Sequence, residues 1–230
     1  MKKIIRGIHK FHDEVFPRYQ GLFHDLADGQ HPRALFVTCA DSRVLPSLFT
    51  QTEPGELFLC RNAGNMIPPH GTQSGGVTAT IEYAVMALKV PHVVVCGHSD
   101  CGAMRALLHP EKTEGMPNVQ AWLNHGELAR QIVAEMHPDL SEAEKVDLLI
   151  KENVVAQLDH LKTHPPVATG LRRGTLQVHG WVYHIASGEM EAWDQEKRVF
   201  RPIEELYQPL IEEPDGAPAM AMSVDSTIVD

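Results

Sequence analysis

Three short apolar runs, at 34–37, 57–60 and 92–96, each stop abruptly at a polar or glycine-containing cluster. Runs of this length with polar borders read as buried strands. The first ends in Cys39-Ala40-Asp41-Ser42-Arg43, the second in Arg61-Asn62-Ala63-Gly64-Asn65, and the third in Gly97-His98-Ser99-Asp100-Cys101-Gly102. Residues 74–89 place Val77, Ile81, Ala84, Val85 and Leu88 on one helical face. In a parallel sheet the carboxyl ends of the strands point one way, so the three clusters can converge where open α/β sheets hold their ligands. The expected fold is therefore α/β, a mainly parallel central sheet flanked by helices.

The rest of the chain fits round that frame. Residues 2–27 carry Ile4, Ile5, Ile8, Phe11, Val15 and, after Pro17, Leu22, Phe23 and Leu26, which predicts two amphipathic helices broken near Pro17. They bear no obvious chemistry and offer a face to another subunit. Gly29-Gln30-His31-Pro32 reads as the turn into the first strand, 46–49 as a short helix and 53–56 as a turn. Residues 109–118 read as a loop. Ser141-Glu142-Ala143-Glu144 has the capping-box pattern and opens a long amphipathic helix through Leu161. A strand at 176–185 turns at Ser187-Gly188 into another at 191–194. One domain is expected over 1–213, followed by a mobile tail at 214–230 rich in Pro, Gly, Ala and Ser.

Composition narrows the partners. A formal charge of −10 argues against nucleic acid or an anionic membrane surface, although the 14 histidines would offset much of it near pH ~6. No apolar run approaches the ~20 residues of a membrane span. The basic start, Met1-Lys2-Lys3, reaches Lys10 and Asp13 before a signal-like apolar core forms, so a cytoplasmic protein is expected. Four cysteines in 230 residues make no disulfide framework, and metal binding is the more useful expectation for them.

Cys39, His98 and Cys101 together offer two thiolates and an imidazole, a donor set that suits zinc with one position left open. His98-x-x-Cys101 can serve one ion if the chain turns at Gly97 and a helix starts near Cys101, where a thiolate is favoured. Asp41 is then either a fourth ligand or a partner to bound water, and Arg43 is spaced to pair with it. Two alternatives stay open on the residues alone. The cysteines can be buried small hydrophobes beside a hydrogen-bonded loop histidine, or Cys39 with His98 can be a nucleophilic pair. Cys60 and Cys96, inside apolar runs, are expected in the core. The Cys39–Arg43 spacing is too short for a phosphatase loop, and Gly64 and Gly71 make no dinucleotide or phosphate fingerprint.

Taken together, Cys39-Ala40-Asp41-Ser42-Arg43, the stretch from Pro54-Gly55-Glu56 to Asn65, Gly97-His98-Ser99-Asp100-Cys101-Gly102 and His179-Gly180-Trp181-Val182-Tyr183 resemble the β-class carbonic anhydrases, over about residues 2–195. The resemblance implies one Zn2+ per subunit on Cys39, His98 and Cys101, with Asp41 and Arg43 as a dyad beside the open position. It implies Gln30 as a hydrogen-bond donor to the substrate oxygen and Phe58 and Tyr83 as the apolar wall. The implied reaction is reversible hydration of carbon dioxide to bicarbonate and a proton by zinc-bound hydroxide. Two thiolate ligands make that hydroxide harder to form, so activity is expected to favour alkaline pH. The implied assembly is a homodimer or a dimer of dimers, with clefts at the subunit boundary and the N-terminal helices in the dimer contact. Some relatives hold regulatory bicarbonate with a Trp, an Arg and a Tyr, and the matching positions here are Phe36, Arg61 and Tyr183. Phe36 lacks the indole N–H and Ser99 stands where those relatives tend to have an aromatic, so the chain resembles the plant and cyanobacterial subtype. Hydrolysis of carbonyl sulfide or carbon disulfide on the same scaffold, or a non-catalytic zinc-binding module, are the competing expectations.

Overall fold

The computed structural model describes residues 1–71 and 75–212, with the backbone alone over 209–212; the expected tail at 214–230 lies outside the described residues. Six strands form one sheet in the order β2-β1-β3-β4-β5-β6. They are β1 (Ala34–Cys39), β2 (Leu57–Asn62), β3 (His92–His98), β4 (Gln177–Tyr183), β5 (Met190–Asp194) and β6 (Val199–Pro202). The first four are parallel, and β5 and β6 are added by antiparallel pairings, so β5 alone runs against the rest. β1 and β3 lie inside the sheet and are buried almost throughout, which is why both read as continuous apolar runs rather than alternating ones. Register aligns their ends: Cys39 pairs with Asn62 of β2, and Thr38 with Cys96 of β3.

Alternate residues serve the two faces. Leu35, Val37, Val93 and Val95 join the larger core, whereas Phe36, Val94 and Cys96 join a smaller one with Phe49, Trp181 and Tyr183. The larger core is covered by α8 (Glu142–Lys162), whose capping box between Ser141 and Glu144 is formed as expected. Val154 and Ile150 of α8 lie so close to β3 that a Cβ built on Gly97 would stand 2.9 Å from Val154 Cγ2. Glycine at that position lets the helix seat on the strand immediately before His98.

The N-terminal segment differs from expectation in detail. α1 (Lys2–Lys10) and α2 (Phe16–Ala27) are joined by a π-helical turn at Phe11–Val15, and Pro17 lies in the first turn of α2 rather than at a break. It follows directly on the π-helical turn, where Phe16 N–H already bonds to the Phe11 carbonyl and the regular ladder is displaced. Neither helix buries a residue, and Ile4, Ile5, Ile8 and Phe11 are exposed. After α3 (Pro46–Phe49), the helix expected at 74–89 appears as α4 (Gly76–Glu82) running into a π-helical turn at Tyr83–Ala87. The expected loop at 109–118 is partly ordered: α5 (Gly102–Leu108) is followed by a 3-10 turn at Pro110–Thr113 and by α6 (Pro117–Leu123). Four further elements had no sequence expectation: α7 (Glu127–Met136), α9 (Pro165–Arg172), β6 and α10 (Ile203–Glu212).

Candidate metal centre

Cys39 ends β1, His98 ends β3, and Cys101 caps α5, so three chain reversals deliver one donor each. Their Sγ and ring nitrogen atoms lie within 4.8 Å of one another, and all three residues are buried. Bonds of roughly 2.0–2.3 Å to one ion suit such a group. His98 Nδ1 lies 2.9 Å from the Ser99 carbonyl oxygen, which accepts its proton-bearing N–H and leaves Nε2 with a bare lone pair. That Nε2 is buried with no hydrogen-bond partner. An orphaned buried acceptor facing two thiols is costly unless a cation takes it, so the residues present fit a soft divalent metal.

The two sulfurs share one proton unequally, Cys39 favouring the thiolate and Cys101 the thiol. Cys39 is lowered to about 4, chiefly by the hydrogen bond from Cys101 and further by the backbone N–H groups of Gly64 and Asp41, against the cost of burial. The Cys101 thiol is pushed up because it donates to Cys39 and is itself buried. Gly64 reaches Cys39 through a backbone φ of 76°, a left-handed conformation that favours glycine. Its carbonyl accepts from Asn153 Nδ2 at 3.1 Å, and the Ala63 carbonyl accepts from Trp122 Nε1 at 2.9 Å, so α8 and α6 hold this loop. Cys60 and Cys96 take no part: both are buried in the core, where burial pushes Cys96 up to about 12 and raises Cys60.

Asp41 stands beside the donor group with Oδ2 3.9 Å from His98 Nε2. Arg43 grips it in bidentate fashion, Nε to Oδ1 at 3.0 Å and Nη2 to Oδ2 at 2.8 Å. These charged hydrogen bonds hold the Asp41 carboxyl well below the usual carboxylate range. Arg61 has a role that sequence reasoning missed. Its Nε and Nη2 donate to the carbonyls of Cys39 and Asp41 at 3.1 and 2.7 Å, bracing the backbone that carries both residues. Phe36, at the other face, packs edge-on against Trp181 with ring centroids 5.8 Å apart, while Phe49 and Tyr183 stack at 4.7 Å.

The other expected site residues are not gathered here. Gln30 is exposed and precedes β1, at the opposite end of that strand from Cys39. Phe58 is level with Leu35 in register, four residues back from Cys39 and so ~13 Å away along the strand. Tyr83 lies against Phe58, ring centroids 5.9 Å apart, and is 51% exposed. Within one chain these three sit away from the metal donors.

The comparisons with known proteins agree on what this architecture resembles. The family model described as carbonic anhydrase matches residues 34–190. A carbonic anhydrase of Pseudomonas aeruginosa is 47% identical over 223 residues, covering 97% of this chain and all of that protein. One from Synechococcus elongatus is 48% identical over 191 residues, 83% of this chain and 70% of that one. Among solved structures, the β-carbonic anhydrase CcaA superposes with a TM-score of 0.86 at 43% identity, covering 88% of this chain and 91% of that one.

Proposed function

This chain belongs to the β-class carbonic anhydrases, enzymes of reversible carbon dioxide hydration to bicarbonate and a proton, and from that premise we propose how its own residues divide the work. Cys39, His98 and Cys101 hold one zinc ion per chain, and the observation that carries this is the buried, unpartnered Nε2 of His98 facing two thiols. Zinc supplies the Lewis acidity that makes water a nucleophile near neutral pH. Asp41 Oδ2 accepts a hydrogen bond from the attacking water and so aims its lone pair at the carbon of carbon dioxide. Arg43 keeps that carboxylate ionised and in place.

Gln30, Phe58 and Tyr83 are assigned to the substrate pocket of a neighbouring copy of the chain. Their position at the far end of the sheet supports donation across a subunit boundary, with the Gln30 amide giving a hydrogen bond to the oxygen that gains charge. The exposed Ile4, Ile5, Ile8 and Phe11 on the N-terminal helices support the same assembly, a homodimer or a dimer of dimers. Four free cysteines suit a reducing cytoplasm, and among the described residues no helix is long and apolar enough to cross a membrane. Hydrolysis of carbonyl sulfide or carbon disulfide, and a silent zinc module, are not favoured by similar proteins named carbonic anhydrase. Metal analysis of the purified protein with a rapid-mixing carbon dioxide hydration assay tests the reading. Zinc near one per chain with rapid turnover is expected, and zinc-free protein that still turns over would overturn it.

A further inference from the structure

Arg43 is held from two sides. Its Nε and Nη2 edge faces Asp41, while Nη1 donates to Asp100 Oδ2 at 3.0 Å and Nη2 donates to the Asp100 carbonyl at 3.2 Å. The two carboxylates occupy different edges of one guanidinium, so they do not compete for it. Asp100 is in turn anchored by Arg105 of α5, whose Nε donates to Oδ1 at 2.9 Å. The backbone of Asp100 has φ of 57°, a left-handed conformation unusual for a residue with a side chain. That conformation turns both the carboxyl and the carbonyl of Asp100 toward Arg43. The result is an alternating chain, Asp41–Arg43–Asp100–Arg105, running from the metal donors to the outer surface of α5.

Its consequence follows from exposure. Arg43 is 45% exposed, and an exposed arginine tied to a single carboxylate is easily released. Were it released, Asp41 would be an anionic oxygen 3.9 Å from the free His98 lone pair, beside any cation bound there. We propose that Asp100 is a positioning residue that locks Arg43 onto Asp41 and thereby keeps the Asp41 carboxylate from closing the open position of the metal. The proposal rests on the reading of Cys39, His98 and Cys101 as metal ligands and names a residue of their intervening turn that is itself no ligand.

The test uses the full chain with cobalt in place of zinc and follows thiocyanate binding by the visible spectrum of the metal. In Asp100→Gly, which accepts the left-handed backbone, thiocyanate affinity is expected to fall at least tenfold, because Asp41 occupies the position the anion needs. Adding Asp41→Ala to that variant is expected to restore affinity to within about threefold of the wild type. Arg105→Ala, at an exposed position that leaves the ligand turn intact, is expected to lose about threefold, again reversed by Asp41→Ala. Unchanged affinity in both Asp100→Gly and Arg105→Ala would overturn the proposal. So would a loss that persists without Asp41, since that would mark a merely structural role. Wild-type protein that takes up no cobalt would instead overturn the metal reading, and this proposal with it.

Discussion

Asp41 and Cys101 stand in the same site and are expected to fail differently when replaced. Cys101→Ser removes one of two sulfurs from a cluster whose third donor is a single imidazole nitrogen, and metal analysis should find the variant depleted of zinc. Asp41→Ala leaves all three donors in place, so zinc content should persist while hydration falls ~100-fold or more, the usual scale for a lost proton-handling group. The donor residues were legible in the sequence because ligand types at the ends of apolar runs are brought together by any parallel sheet. Arg61 and Asp100 were not legible as supports. What they do depends on where the guanidinium of Arg61 meets two carbonyls, and on a left-handed turn at Asp100, neither of which leaves a periodic trace. Gln30, Phe58 and Tyr83 were found by resemblance alone, and their own chain does not bring them to the metal donors.

The contact of α8 with β3 sets the precision with which His98 is delivered. Gly97→Ala would drive a Cβ to 2.9 Å from Val154 Cγ2 and 3.2 Å from Ile150 Cγ2. Overpacking of that kind costs ~1–3 kcal/mol, and chemical denaturation should report a loss of that size, with weakened zinc retention as β3 shifts. α8 itself was readable because a capping box and a sustained apolar stripe agree. The β5–β6 hairpin was not, since its turn contains no glycine. It is made instead by Asp194 Oδ1 accepting the N–H groups of Glu196 and Lys197, and by Arg198 at a φ of 54°. α9 was hidden by Pro165 and Pro166, which read as breakers yet sit in its first turn. The π-helical turns at Phe11–Val15 and Tyr83–Ala87 keep a helical period close enough to 3.6 that the stripe predicts helix without the bulge.

At the scale of the whole molecule, stability should depend on two histidines at the end of the sheet remote from the metal donors. His92 Nδ1 and His179 Nε2 lie 3.2 Å apart, and His179 Nδ1 is 2.8 Å from the Tyr207 hydroxyl of α10. Burial, with a smaller contribution from His92, lowers His179 from 6.5 to about 4. The unfolded chain therefore takes up a proton between those values while the folded chain does not, so stability is full above pH 6.5 and falls as the pH drops toward 4. Urea unfolding at stepped pH should show a loss of ~2–3 kcal/mol over that window, and His179→Gln should flatten it. The architecture as a whole was legible as a parallel sheet with convergent ends, whereas the β6 edge and the helices α7, α9 and α10 carried weaker patterns. The claim on which everything else depends is that the Cys39–His98–Cys101 cluster binds the metal that drives turnover. The most direct measurement is stopped-flow carbon dioxide hydration on one preparation as purified, after zinc is stripped by a chelator, and after zinc is returned. Turnover should vanish with the metal and return in proportion to zinc bound, up to one per chain; full turnover in the stripped protein would contradict the account.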